Sequence, residues 1–182
     1  MIEHGKVVLR ARRDSDVDLL HRELYEDVAT RVRADNRPWR PLPTGAQSPY
    51  AVPRPDDETP CFTVEDSASG DVAGEAVVWG MDLHNRCAHL GLALRPGFRG
   101  RGMATDAMVA LCTYGFAVRG FHRLQIETLA DNAPMLRAAQ RAGFTVEGTL
   151  RRSSWALGAW ADEVILGLLT EDWARGRDSE PR

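Results

Sequence analysis

The sequence predicts a mixed α/β (α+β) fold, a mostly antiparallel central sheet of about six to seven strands flanked by helices. Three observations predict it. Four strand-like segments precede the central helical stretch at 103–119, two of them joined by a short hairpin turn, and strand and helix patterns alternate after it. The length of 182 residues, with 43% hydrophobic residues, suits one domain with a sizeable core. No internal repeat is visible. The domain is expected to span 1–174, with a Pro-rich loop at 37–60 and a frayed polar tail, "RGRDSEPR", over 175–182.

Taken in order, "KVVLRAR" reads as the first strand. Ser15 followed by Asp18 resembles a capping box, and Val17, Leu20, Leu24 and Val28 then recur at helical spacing, predicting one amphipathic helix. Seven of the ten prolines lie between Pro38 and Pro60, a density that forbids a regular helix and most strand ladders. That segment is either a surface loop or a lid near a ligand site. Trp39 and Tyr50 argue for the lid, since large aromatic side chains are costly to leave in water.

"CFTVED" and "VAGEAVVWGMDL" predict a hairpin turned by "SASGD", and "CAHLGLALR" a further strand after "HNR". Residues 103–119 read as a helix closed by Gly120. "RLQIETLA" alternates apolar and polar residues and is a strand. Asn132 is placed to cap a short helix with Pro134 in its first turn and Met135, Ala138, Ala139 and Ala142 on its apolar face. "FTVEGTLR" and "ADEVILGLLT" complete the strands.

Composition narrows the function. With 23 basic and 26 acidic residues and a net charge of −3, no basic stripe suggests nucleic acid or a membrane surface as partner. Cys61, Cys87 and Cys112 are scattered and lack CxxC spacing, which fits a reducing, cytoplasmic setting with thiols as small core residues. The N-terminal segment has no long apolar run, and five isolated histidines give no metal-ligand spacing, so no metal is expected.

The most informative stretch is "LGLALRPGFRGRGMATDAM", which sets Arg99, Gly100, Arg101 and Gly102 between a strand and the helix beginning at Met103. Glycines there admit backbone angles closed to other residues and leave no side chain in the way. A helix start aims free N–H groups and its positive dipole end at one point. Such a turn is a phosphate cradle or, by itself, only a flexible basic connection. A Walker loop needs Gly-Lys-Ser/Thr, which the chain lacks. A dinucleotide fingerprint in "GRGMAT" would meet Thr105 where Gly or Ala belongs. "RGRGMA" fits Arg/Gln-x-x-Gly-x-Gly/Ala without forcing, with Arg99, Gly102 and Ala104 at the defining positions.

That motif resembles the pyrophosphate loop of the GNAT acetyltransferase superfamily. "DNAPMLRAAQRAGFTVEGTLR" is similar to the family's Asn-initiated helix and following strand. "GAWADEVILGLL" is similar to the last strand of the branch that acetylates ribosomal-protein N-termini. The likeness runs from about residue 73 to 169. It implies central strands that splay apart after "LGLAL" and hold acetyl-coenzyme A as co-substrate. The pantetheine arm would pair with backbone groups of Leu92 and Leu94, and the diphosphate would sit on amides of Arg99, Gly100, Arg101, Gly102, Met103 and Ala104. Asn132 would reach the pantetheine side.

The chemistry implied is direct attack of a primary amine on the thioester. An α-amine with pKa near 8 is roughly 10% neutral at pH 7, whereas a lysine side chain near 10.4 is only about 0.04% neutral. A weak or water-relayed base therefore suits a peptide N-terminus better than a lysine. The backbone N–H of Leu92 is the natural donor to a developing oxyanion. His89 stands where relatives carry Glu and shares a strand face with the small Gly91 and Ala93, so it is the candidate base, against the plain alternative of a structural histidine. Asp162 and Glu163 are secondary candidates. The sequence departs from the family at the proton donor. Ala139 occupies the place of the usual Tyr, and Met135 that of the ribosomal branch's Ser.

Two functions from different classes follow. The first is an acetyl-CoA-dependent N-acetyltransferase acting on an N-terminal α-amine or small amino compound. The second is a catalytically weak acyl-CoA-binding sensor, kept in view by the missing Tyr and Ser. Trp39, Tyr50, Trp155 and Trp160 are the candidate pocket aromatics. The pair in "WALGAW" lines an acceptor pocket, covers the sheet end or forms a homodimer contact, and the sequence leaves these open.

Overall fold

A computed structural model describes residues 1–35, 37–54 and 59–178. One eight-stranded sheet runs in the order β1-β2-β3-β4-β5-β6-β8-β7, made of β1 (Ile2–His4), β2 (Val7–Ala11), β3 (Cys61–Asp66), β4 (Val72–Asp82), β5 (Cys87–Leu94), β6 (Arg123–Leu129), β7 (Thr145–Ala156) and β8 (Ala159–Leu169). Every neighbouring pair is antiparallel except β5–β6. The sheet has one strand beyond the upper count expected. Ile2–His4 folds back on Val7–Ala11 and is too short to show alternation in the sequence.

The helix α3 (Met103–Cys112) crosses one face of the sheet and continues as a wider π-helical turn at Thr113–Val118. Met103, Ala107, Met108 and Leu111 pack there with Ala76, Val78, Leu90, Leu124 and Ile126, the alternate residues of β4, β5 and β6. Cys112 is buried in this core, and burial pushes its thiol above the ordinary range.

The opposite face carries α1 (Asp14–Leu20), a π-helical turn (His21–Tyr25) and α2 (Val28–Ala34). One continuous helix is expected from the sequence, and the structure divides it. Asp27 accepts the Thr30 N–H at 3.2 Å and begins a second helix. The wide turn before it takes Val28 out of phase with Leu20 and Leu24, leaving it 38% exposed. The start also differs from the expected Ser15–Asp18 box. Asp16 reaches back to the Arg13 N–H at 2.9 Å and forms a buried pair with Arg10 at 2.7 Å. Burial opposes the charge on Asp16, but hydrogen bonds from Arg10, Arg13 and Thr63 outweigh it and hold the carboxyl below its usual range.

Two further segments differ from expectation. Tyr50, in the Pro-rich segment, is buried with Leu20, Leu24 and Tyr25 in a second core cluster. At the other end α5 (Thr170–Asp178) carries helix into the stretch expected to fray, and 179–182 lie outside the described residues, as do 55–58 of the Pro-rich segment.

Arg95 fastens the end of β5 to the α1 side. Its Nε and one terminal nitrogen donate to the two Glu23 oxygens at 2.8 Å each, which lowers the Glu23 carboxyl. Glu23→Gln is expected to cost about 1 kcal/mol at neutral pH, read by urea denaturation. The sign follows from a depressed folded-state pKa. The contribution is complete above the ordinary value of 4.5 and disappears as pH falls through the lower folded value, so variant and parent converge in acid.

Candidate active site

The sheet opens in its middle. Strands β5 and β6 pair only at Cys87↔Arg123, Ala88↔Leu124 and His89↔Gln125. Beyond this point β5 stays with β4 and β6 stays with β8, so a gap widens from Leu90 to Leu94 on one side and from Ile126 to Leu129 on the other. The Arg95 N–H donates to the Ala73 carbonyl at 2.9 Å. Leu94 and Gly74 are therefore a non-hydrogen-bonded pair, and alternation makes Leu92 and Ala76 another. The backbone N–H and C=O of Leu92 and Leu94 consequently face the gap rather than β4. The Leu94 carbonyl already accepts the Arg99 Nε–H at 2.8 Å, while its N–H stays turned to the gap.

At the end of β5 the chain makes a short turn and reaches the Gly-Arg loop. Gly100 (φ +74°) and Gly102 (φ +86°) both lie in the left-handed region, and a Cβ built on either meets no atom within 4 Å. Gly102 stands at the N-cap of α3 and its carbonyl accepts the Thr105 N–H at 3.0 Å. The N–H groups of Gly100, Arg101, Gly102, Met103 and Ala104 find no acceptor among the described residues. Arg99 also reaches the Thr30 hydroxyl on α2 at 3.3 Å, and Arg101 lies over the Phe98 ring, 5.4 Å from its centroid. This open row of amides, flanked by two guanidiniums, fits a diphosphate in charge and in hydrogen-bond polarity.

On the α1–α2 face, His89 stacks against Trp79 with ring centroids 4.4 Å apart. Its Nδ1 lies 3.3 Å from Glu127 Oε1, yet it is buried without an aligned hydrogen bond among the described residues. The space expected beside Gly91 is filled. A Cβ there would lie 2.8 Å from Val77 Cγ2 and 3.8 Å from the Trp79 indole nitrogen, so Trp79 leans over Gly91 as well as against His89. Glu127, which sequence analysis missed, stands one same-face position beyond Gln125 on β6, level with the start of the gap. It accepts the Gln125 Nε2–H at 2.7 Å, and Gln125 in turn accepts from Arg123 at 3.0 Å. The chain of polar side chains thus ends on a carboxylate at the gap.

The helix α4 (Ala133–Arg141) begins at Asn132 as expected, but the side chain does not cap it. Asn132 Nδ2 donates to Thr128 Oγ1 at 3.0 Å and so ties the start of α4 to the end of β6. Ala139 is fully buried in the core and Met135 packs against it, so neither place offers a proton donor.

The four aromatic candidates do not converge. Tyr50 is buried, its hydroxyl 3.4 Å from an Arg31 nitrogen, and burial pushes its pKa up to about 12. Its carbonyl accepts from Arg12, which pairs with Glu75 at 2.7 Å beneath the loop. Burial pushes Glu75 above the ordinary range against the pull of Arg12. Trp39 donates its indole N–H to the Tyr25 carbonyl at 3.0 Å and packs on the same cluster. Both aromatics therefore fasten the Pro-rich segment to the end of α1 and the π-helical turn after it. Trp155 and Trp160 meet edge to face across the β7–β8 hairpin, 5.3 Å between centroids and about 60% exposed. Trp160 lines a cleft of about 440 Å³ with Leu129, Leu157, Asp131, Asp162 and Arg33 at the wide end of β6. Asp162 accepts the Arg152 N–H at 2.8 Å, and Glu163 takes the Ser153 hydroxyl at 3.3 Å. No group of acidic, Cys or His side chains among the described residues is arranged to hold a metal, and no helix among them is long and apolar enough to cross a membrane.

Comparison with known proteins shows the family and the fold. A family model described as Acetyltransferase (GNAT) domain matches residues 6–145. The putative ribosomal N-acetyltransferase YdaF of Bacillus subtilis (strain 168) is 30% identical over 104 residues, 57% of each chain. The ribosomal protein uS5-alanine N-acetyltransferase of Escherichia coli (strain K12) is 28% identical over 89 residues, 49% of this chain and 46% of that one. The chain thus spans about half the length of the curated relatives it matches. In fold it is similar to the crystal structure of spermidine N-acetyltransferase from Vibrio cholerae in complex with CoA and spermine. The TM-score is 0.76 at 16% identity, covering 93% of this chain and 98% of that one.

Proposed function

Because this chain belongs to the GNAT acetyltransferase family, we propose that it transfers an acetyl group from acetyl-coenzyme A to a primary amine by direct attack in a ternary complex. The observation that carries this reading is the gap between β5 and β6, which has unpaired amides of Gly100–Ala104 at one end and the Glu127 carboxylate at its opening. The co-substrate supplies an activated acetyl thioester.

The chain's own groups divide the remaining work. The loop amides, with Arg99 and Arg101 beside them, hold the diphosphate. The Leu92 and Leu94 N–H groups fix the pantetheine arm and polarise the acetyl carbonyl. Asn132, through Thr128, keeps the start of α4 against the gap. On the other face Glu127, with His89 behind it, takes the proton that the amine must lose. Departure of the thiol uses solvent as its proton source, since Ala139 and Met135 have no acidic hydrogen to give.

The acceptor is an N-terminal α-amine or a small amino compound, supported by the larger neutral fraction of an α-amine at pH 7. The cleft at Trp160 supports an acceptor with an apolar body beside the amine. The buried Ala139 favours a second reading, an acyl-CoA sensor with little turnover. Incubation with acetyl-CoA and a panel of peptide N-termini, polyamines, aminoglycosides and amino acids, followed by free thiol, separates the two. Thiol release that depends on an N-terminal peptide or amino compound is the expected result. Tight CoA binding without release across the panel would establish the sensor instead.

A further inference from the structure

We infer that Lys6 is a positioning residue for the diphosphate of coenzyme A, holding the Gly-Arg loop in its anion-receiving form, an inference that rests on the acetyl-CoA reading above. Lys6 lies far from the loop in sequence, in the two-residue turn between β1 and β2 set by the His4↔Val7 pair. The fold brings it back at both of its ends. Its ammonium donates to the Arg101 carbonyl at 2.9 Å, and its backbone N–H donates to Asp106 Oδ2 at 3.0 Å. The turn is seated tightly on α3, for a Cβ at Gly5 would lie 2.6 Å from the Asp106 carboxylate.

Two electrostatic problems of the loop meet at this side chain. A phosphate cradle made of backbone amides must keep its carbonyl oxygens pointed elsewhere, because an oxygen facing the anion repels it. Lys6 takes the carbonyl of Arg101, the one residue between the two left-handed glycines, Gly100 and Gly102, and holds it on the hairpin side. The second problem is Asp106, a negative charge in the first turn of α3 near the place where the anion must sit. The Lys6 N–H engages that carboxylate at 3.0 Å and so occupies one of its oxygens on the hairpin side. A loop with two such glycines has many alternative shapes when free, so a charge-assisted bond that fixes one shape removes part of the ordering cost of binding.

The test compares Lys6→Met and Lys6→Arg with the parent, in the full chain. Methionine keeps the stem and the backbone bond to Asp106 but removes the donor, so the melting temperature without ligand reports whether the fold is kept. Isothermal titration is expected to show CoA binding about tenfold weaker in Lys6→Met and restored to within about threefold in Lys6→Arg. Binding of pantetheine, which has no diphosphate, is expected to change less than about twofold. Unchanged CoA affinity in Lys6→Met overturns the inference, as does an equal loss for CoA and pantetheine. Failure of the parent itself to bind CoA would remove the acetyl-CoA reading first and this role with it, whereas normal parental binding isolates the contribution of Lys6.

Discussion

Gly102→Val is expected to weaken CoA binding by about a hundredfold while leaving the sheet and its core intact. Gly102 sits at φ +86° at the N-cap of α3, where a β-branched residue is strained by about 1–3 kcal/mol. The variant can relieve that strain only by turning the backbone out of the left-handed region. Doing so swings the N–H groups of Met103 and Ala104 away from their common point. Apart from the adjoining backbone, no protein atom lies within 4 Å of the added Cβ, so loss of affinity would not come from a disturbed interior. Strain and the projecting side chain act together at the mouth of the cradle. Gly97 offers the control, because it too has open space around it but no left-handed backbone, and Gly97→Ala should bind CoA as the parent does. Titration calorimetry measures the affinities, and circular dichroism checks that both variants are folded. Parental affinity in a folded Gly102→Val protein would show that the diphosphate is held elsewhere.

What the sequence showed of this site was the part that backbone geometry dictates. A left-handed N-cap beside an anion leaves glycine almost no competitor, so the Gly-Arg loop is legible residue by residue. The alternation of β4, β5 and β6 is legible for a similar reason, since each has one face in a core. Harder to read were features set by contacts between distant segments. Tyr50 stands among prolines, and nothing in its neighbours announces that Leu20, Leu24 and Tyr25 will enclose it. Asn132 is as good a partner for Thr128 as it is a helix cap, and only the fold chooses. The break at Asp27 was hidden because Val28 fits a 3.6-residue period that a π-helical turn has shifted. Glu127 occupies the polar slot of an alternating strand, which from sequence looks like a solvated position. The available signal was that Gln125 and Glu127 form a polar row on a strand flanked by other strands on both sides, where a solvated face is the less usual outcome. Trp79 over Gly91 was likewise a cross-strand fact, fixed by the Val77↔Gly91 and Trp79↔His89 register.

Glu127→Gln is expected to lower kcat by about 10²–10⁴ with acetyl-CoA binding unchanged, the range for loss of a positioned proton acceptor. The substitution is nearly isosteric. An amide oxygen at 127 can still accept the Gln125 Nε2–H, so the polar row keeps its shape while the negative charge is lost. His89→Ala separates the two members of the pair. His89 lies in the last position of β5 that pairs with β6, stacked against Trp79, with its Nδ1 3.3 Å from the carboxylate. In the proposed reaction His89 stands behind Glu127 and orients it, so its removal should cost less than the loss of Glu127. If the two act as one unit, the double variant will be little worse than Glu127→Gln alone. Full kcat in Glu127→Gln would remove the carboxylate from the reaction. A loss confined to His89→Ala would instead make the imidazole the proton acceptor, and Trp79 would then have to move aside to admit the amine.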